Sequence, residues 1–201
     1  MRLDGPLLIA THNAGKLAEF RALLAPLGLE IRGAGEMGLA EPEETEDSFV
    51  GNARIKARAG VDATGLATLA DDSGIEIDAL DGAPGVYTAD WAETPSGRDF
   101  TRAMTRAWNA LEERGAPEPR IARFRCTLVL LRPGGAEDVF EGALEGRVSW
   151  PPRGRSGHGY DPIFVPEGHD RTLGEMAPEE KNALSHRARA LAKLVEAMDG
   201  A

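Results

Sequence analysis

The sequence predicts an α/β fold built on a mixed β-sheet. Three observations lead there. Short apolar runs alternate with helix-period segments through the first half: Leu7 to Ala10, then Leu17, Phe20, Leu24 and Leu27, later Ala67–Ala70 and Ile75–Ile77. Two long strand-like segments, Arg123 to Leu131 and Asp138 to Val148, meet at Pro133-Gly134-Gly135, as in a hairpin. The last helix, Glu179 to Met198, carries Leu184, Ala188, Leu191, Val195 and Met198 on one apolar stripe.

Taken in order, Leu7 to Ala10 reads as a first buried strand. The period changes at Gly15, and the helix that follows stops at Gly28. Leu29 to Arg32 is expected as a second strand. Glu41 to Asp47 is an acidic loop leading into a helix near Ser48 to Ala63, with Phe49, Ala53 and Lys56 close together on its surface. Strands around Ala67–Ala70 and Ile75–Ile77 follow, then the loop Asp81-Gly82-Ala83-Pro84-Gly85. Asp99 to Glu113 repeats Phe100, Met104, Ala107 and Leu111 at helical spacing and is closed by Gly115. Trp150 to Gly159 is a loop rich in Pro, Gly and Arg. No repeat, low-complexity stretch or flexible linker divides the chain, so residues 1–201 read as one domain.

Composition narrows the function. With 201 residues the chain can bury a substantial core. A formal net charge of −10 argues against a nucleic-acid backbone or an anionic membrane as partner. The single cysteine, Cys126, lies in the apolar run Cys126-Thr127-Leu128-Val129-Leu130-Leu131, which suggests a packed thiol in a reducing cytosol. Met1 to Ala10 has no signal-peptide character, and no apolar run approaches the ~20 residues of a membrane span. A cytoplasmic, soluble protein is expected.

The most informative segment is Leu69-Ala70-Asp71-Asp72-Ser73-Gly74. Hard oxygen ligands at a strand end suit Mg²⁺, which takes one or two carboxylates and leaves its other positions to water and phosphate. Asp, Ser and Gly also favour turns, and a turn fits the same residues. Upstream, Ala10-Thr11-His12-Asn13-Ala14-Gly15-Lys16 joins the first strand to the first helix. Such a junction offers backbone N–H groups and an ammonium to a phosphate, or is an ordinary turn capped by Asn13. Glu43-Glu44-Thr45 stands before the second helix, where carboxylates complement the macrodipole or hold a metal. Asn52 and Lys56, four apart, share a helical face. In Ser156-Gly157-His158-Gly159-Tyr160-Asp161-Pro162 two glycines let the backbone approach a flat ligand, an aromatic ring can stack on a base, and Asp161 is an acceptor held extended before proline. His186 and Arg187, at the start of the last helix, offer donors suited to carbonyl oxygens.

Together these segments resemble the noncanonical purine nucleoside triphosphate pyrophosphatases, the inosine triphosphate (dITP/XTP) pyrophosphatase family. The matching pieces are Ala10-Thr11-x-Asn13-x-x-Lys16, Glu44-Thr45 with Phe49 and Asn52-Ala53-x-x-Lys56, Ala70-Asp71-Asp72-Ser73-Gly74, Gly82-Ala83-Pro84-Gly85, Gly159-Tyr160-Asp161-Pro162, and Glu180-Lys181-x-Ala183-x-Ser185-His186-Arg187. They fall in the family's order from Ala10 to Arg187.

The resemblance implies an elongated mixed sheet with flanking helices, two lobes around a central active-site cleft, a homodimer, and dependence on Mg²⁺. It implies cleavage of ITP, dITP or XTP between the α and β phosphates, giving the nucleoside monophosphate and pyrophosphate. The loop of Thr11, His12, Asn13, Ala14, Gly15 and Lys16 would bind substrate, with Thr11, Asn13, Lys16 and Lys56 on the phosphates. Glu44 and Asp72 would hold the metal, and Asp72 would also accept the proton of the attacking water. Ser73, the loop of His158, Gly159, Tyr160 and Asp161, Lys181, His186 and Arg187 would surround the nucleoside. Three positions depart from the family: His158 where Phe is frequent, Gly51 where Glu commonly precedes Asn-Ala, and His12 where Gly often stands. A pyrophosphatase of other damaged or pyrimidine nucleotides would use the same phosphate machinery. A non-catalytic nucleotide sensor would not need the acidic set Glu44, Asp71 and Asp72.

Overall fold

Apolar residues at alternating and helical spacing give a mixed α/β architecture, as read from the sequence. The computed structural model describes Leu3 and residues 5–199; Met1, Arg2, Asp4, Gly200 and Ala201 lie outside the described residues. Strands β1 (Leu7–Ile9), β2 (Ile31–Gly33), β3 (Ala67–Ile77), β6 (Ile121–Leu131), β7 (Glu137–Val148) and β8 (Phe164–Pro166) form a six-stranded sheet in the order β2-β1-β3-β6-β7-β8. β4 (Glu93–Thr94) and β5 (Gly97–Arg98) make a separate two-stranded pair. β1 runs parallel to β2 and β3, while β7 and β8 are antiparallel, so the sheet is mixed. The helices are α1 (Ala14–Leu24), α2 (Phe49–Thr64), α3 (Phe100–Glu113), α4 (Pro178–Leu184) and α5 (His186–Asp199). Among the described residues no helix is long and apolar enough to cross a membrane.

The chain divides into two compact units: residues 1–72, 126–142 and 187–201 in the first, and 73–125 and 143–186 in the second. In the first, Leu7, Ile9 and Leu69 pack with Leu17, Phe20 and Leu24 of α1 and Leu191 and Leu194 of α5. Ala70 packs with Ala53 and Ala57 of α2, together with Val129 and Leu131. Successive residues of a strand point to opposite faces, so Leu69 and Ala70 serve different cores. Helices cover both faces here, which is why β1 and the Leu128–Leu131 end of β6 read as unbroken apolar runs. Cys126 is buried, as expected for a packed thiol. The second unit is built on Ile75, Ile77, Phe124, Leu144 and Phe164, with α3 supplying Ala103, Met104, Ala107 and Leu111.

Three expectations change. Strands were expected around Ala67–Ala70 and Ile75–Ile77, but β3 is one continuous strand, so Asp71-Asp72-Ser73-Gly74 is neither a strand end nor a turn. Both aspartates meet cations there, which offsets the turn preference of their residue types. The second strand starts two residues later than expected, at Ile31, after Gly28 ends the preceding turn at φ 65. The final helix, expected as one, breaks at Ser185, which is extended (φ −62, ψ 148) between α4 and α5. Serine competes with helix continuation and is favoured at helix starts. The stripe therefore divides: Leu184 packs on the second unit's core and Leu191, Val195 and Met198 on the first's.

Candidate functional site

In the first unit, the loop from β1 to α1 is fixed by its own side chains. Asn13 caps α1, its Oδ1 accepting from the Lys16 N–H at 3.0 Å, and the Thr11 hydroxyl accepts from the Asn13 N–H at 3.2 Å. Capping and ligand-binding roles are compatible, since the cap leaves other N–H groups of the turn for an anion. His12 Nε2 donates to the Leu39 carbonyl at 2.7 Å, tying this loop to the segment before the acidic residues. Lys16 reaches Asp71, with Nζ to Oδ2 at 2.8 Å.

The alternation of β3 decides what each aspartate meets. Asp71 lies on the face of Leu69, toward Lys16 and the Arg187 Nε, which is 3.7 Å away. Arg187 in turn donates to Glu19 Oε2 at 2.8 Å. Burial alone would push Asp71 up, but Lys16, Arg187 and Lys56 hold its carboxyl well below the usual range. Asp72 lies on the face of Ala70, toward α2. Its Oδ1 is 3.5 Å from Lys56 Nζ and its Oδ2 accepts from Asn52 Nδ2 at 3.3 Å. Lys56 also donates to Glu44 Oε1 at 2.7 Å. Burial raises Asp72 and outweighs Lys56, with Glu44 adding to the rise, so its pKa is pushed up to about 6. Lys56 is held charged: burial opposes this, but Asp72, Asp71 and Glu44 together prevail. Two neighbouring aspartates are thus driven in opposite directions, a pattern that suits carboxyl groups with different tasks.

Glu44 and Asp72 converge on one ammonium, an all-oxygen set of two carboxylates around a cationic point. Among the described residues no cluster of three or more His, Cys, Asp or Glu side chains forms a denser cage. Two carboxylates with open positions are what Mg²⁺ uses when phosphate and water supply the rest. The donor set fits. A cavity of about 240 Å³ lies in the same unit, lined by small and apolar residues but also by His12, Glu41 and Lys56.

In the second unit, Asp161 is the organising residue. It is buried, its Oδ2 accepting from the His158 N–H at 2.8 Å and from Lys181 Nζ at 3.0 Å. Rather than extended, it opens a short 3₁₀ turn with Pro162 and Ile163. Gly157 (φ 91) lies so close to this carboxylate that an added Cβ would stand 2.2 Å from Oδ2. The loop is therefore closed onto Asp161, leaving His158 exposed and Gly159 half-buried. Tyr160 is a correction. Its ring is fully buried, edge-on to Phe100 at 6.2 Å, so it offers no stacking face to a base. His186 stacks on Phe124 at 5.2 Å, and Ser73 is half-buried on β3.

The first unit thus brings together Thr11, His12, Asn13, Ala14, Gly15, Lys16, Glu44, Lys56, Asp72 and Arg187. The second brings together His158, Gly159, Asp161 and Lys181. Asn52 and Glu19 received no role from the sequence. The four-residue spacing of Asn52 and Lys56 was the available signal for one; nothing local marked Glu19, 168 residues from its partner.

Relatives match nearly the whole chain. A protein of Ruegeria pomeroyi named dITP/XTP pyrophosphatase is 65% identical over 96% of this chain and 95% of its own length. One of the same name from Rhodopseudomonas palustris is 54% identical over 97% and 96%. The solved structure of a HAM1 protein from Coxiella burnetii matches with a TM-score of 0.92 at 38% identity, covering 98% of this chain and 100% of that one. Residues 7–197 match the Ham1 family, which takes in both the divided aspartates and the closed His158–Asp161 loop, and the chain belongs to that family.

Proposed function

We propose that this protein hydrolyses noncanonical purine nucleoside triphosphates, ITP, dITP and XTP, to the nucleoside monophosphate and pyrophosphate. One observation carries the reading. Asp72, pushed up to about 6, stands beside Glu44 and Lys56, while neighbouring Asp71 is kept charged by Lys16 and Arg187. A carboxylate ionised at neutral pH yet more basic than usual suits general-base work.

The first cluster is assigned to the triphosphate. Glu44 and Asp72 would hold Mg²⁺, which when bound offsets phosphate charge and makes a water more acidic. Thr11, Asn13 and the N–H groups of Ala14 and Gly15 bind phosphate oxygens, with the Lys16 and Lys56 ammoniums. Asp72 takes the proton of a water that adds to the α-phosphorus. The bond from that phosphorus to the α–β bridging oxygen breaks, and pyrophosphate leaves with its charge held by the lysines. Positioning and charge neutralisation account for most of such catalysis.

Ser73, His158, Gly159, Asp161, Lys181 and His186 are assigned to the nucleoside. His186 and Arg187 are assigned as donors to the 6-oxygen of inosine and xanthosine, which adenosine replaces with an amine. Arg187 has five N–H donors, more than its contacts with Glu19 and Asp71 use. A homodimer and a cytoplasmic setting complete the proposal, from the resemblance and the reduced Cys126. The test is pyrophosphate release with Mg²⁺ across ITP, dITP, XTP, GTP, ATP, CTP and UTP. ITP and XTP should exceed ATP by ~100-fold in kcat/KM; equal hydrolysis of ATP and ITP would refute it.

A further inference from the structure

We propose that Asn52 is a positioning residue for the metal-holding carboxylates, fastening the acidic segment that carries Glu44 to Asp72. The proposal rests on the assignment of Mg²⁺ to Glu44 and Asp72. Asn52 is only 2% exposed, and both ends of its amide are engaged. Its Oδ1 accepts from the Glu46 N–H at 2.9 Å, and its Nδ2 donates to Asp72 Oδ2 at 3.3 Å. One side chain thereby connects the backbone two residues beyond Glu44 to one chosen oxygen of Asp72. The other oxygen, Oδ1, faces Lys56 at 3.5 Å.

Gly51 makes the connection possible. A Cβ there would lie 2.6 Å from Glu46 Cβ, 2.8 Å from its Cγ and 2.9 Å from Ser48 Oγ. The bare backbone lets Glu46 lie against the first turn of α2, where Asn52 reaches its N–H. An amide is needed at position 52, because a carboxylate cannot donate to Asp72 and an apolar side chain can do neither.

The test uses the full chain with Asn52→Leu and Asn52→Ala; the smaller residue serves if the isosteric one fails to fold. Hydrogen–deuterium exchange of metal-free protein reads the anchoring of residues 44–47. Magnesium chloride titrated calorimetrically without nucleotide, and the Mg²⁺ half-saturation of pyrophosphate release, read the carboxylates. Exchange at 44–47 should quicken by ~10-fold or more, and half-saturation should rise ~10-fold while kcat at saturating Mg²⁺ changes little. A purely structural role would lower thermal stability and leave the half-saturation unchanged. Unchanged exchange in both variants, or a half-saturation within about twofold of the natural chain, overturns the proposal. If Glu44→Gln and Asp72→Asn bind magnesium as the natural chain does, the metal assignment fails and takes the carboxylate role of Asn52 with it. Exchange at 44–47 then still decides the anchoring by itself.

Discussion

Asp72→Asn should stabilise the protein as it removes the activity. In the folded chain Asp72 is pushed up to about 6 from the ordinary 3.8. At about 1.4 kcal/mol per pH unit, the fold disfavours the ionised carboxylate by about 3 kcal/mol. A carboxyl that holds its proton more tightly folded than unfolded contributes stability at low pH, and that contribution disappears as pH rises from about 4 to about 6. Asparagine keeps the shape and stays neutral throughout. In metal-free buffer with a chelator at pH 8, the variant should therefore melt roughly 6–12 °C above the natural chain, given 2–4 °C per kcal/mol for a domain of this size. Near pH 4.5 most of that gap should close. Magnesium chloride should raise the natural chain's melting temperature and leave the variant's unchanged, and the variant should keep less than about a tenth of kcat. Differential scanning calorimetry at both pH values reads the outcome. A variant less stable than the natural chain at pH 8, or a gap indifferent to pH, would refute the reasoning.

The neighbouring aspartate should behave oppositely. Asp71→Asn leaves Lys16 and Arg187 without their buried carboxylate and should cost about 2–3 kcal/mol at pH 7, allowing for the partly exposed Lys16. Because Asp71 lies below the usual range, that deficit should shrink as pH falls below about 4, measurable by urea unfolding across pH. Lys16→Ala and Lys56→Ala should each lower kcat/KM more than about tenfold, by a similar factor for ITP, XTP and GTP. A reordering of those substrates would show the lysines are not on the shared phosphates. His158→Phe, at an exposed position beside the buried Asp161, should alter KM or the substrate ranking with little loss of kcat; unchanged KM values for all three would remove His158 from the base site.

The extent to which this was legible in the sequence depended on how local the cause was. The Asn13 cap, the α2 face bearing Asn52 and Lys56, and the α3 repeat each arise within a single helix, and local pattern shows them. Asp71 and Asp72 were legible as chemistry and misleading as structure. Their turn preference is local, whereas the cations that keep them in a strand come from residues 16, 56 and 187. Ser185 shows the reverse. An apolar stripe runs through it, and its break becomes intelligible only when Leu184 and Leu191 are seen serving different cores. Tyr160 looked available to a base because aromatic type says nothing of burial, and its ring is wholly enclosed.

The pairing of β1 with β3 sets an address as well as a strand. Leu7, Leu8 and Ile9 lie opposite Ala67, Thr68 and Leu69, and the Thr11–Lys16 loop leaves β1 just where β3 approaches its aspartates. Parity along β3 then gives Asp71 to the α1 and α5 side and Asp72 to α2. A slip of one residue would exchange their surroundings. Such a chain would still show two adjacent aspartates to anyone comparing sequences. Yet the carboxylate beside Glu44 would be the wrong one, out of step with Asn52 and Lys56. Drift in the helices is therefore tolerable to the extent that packing allows, while a single-residue insertion or deletion within 7–9 or 67–72 is not.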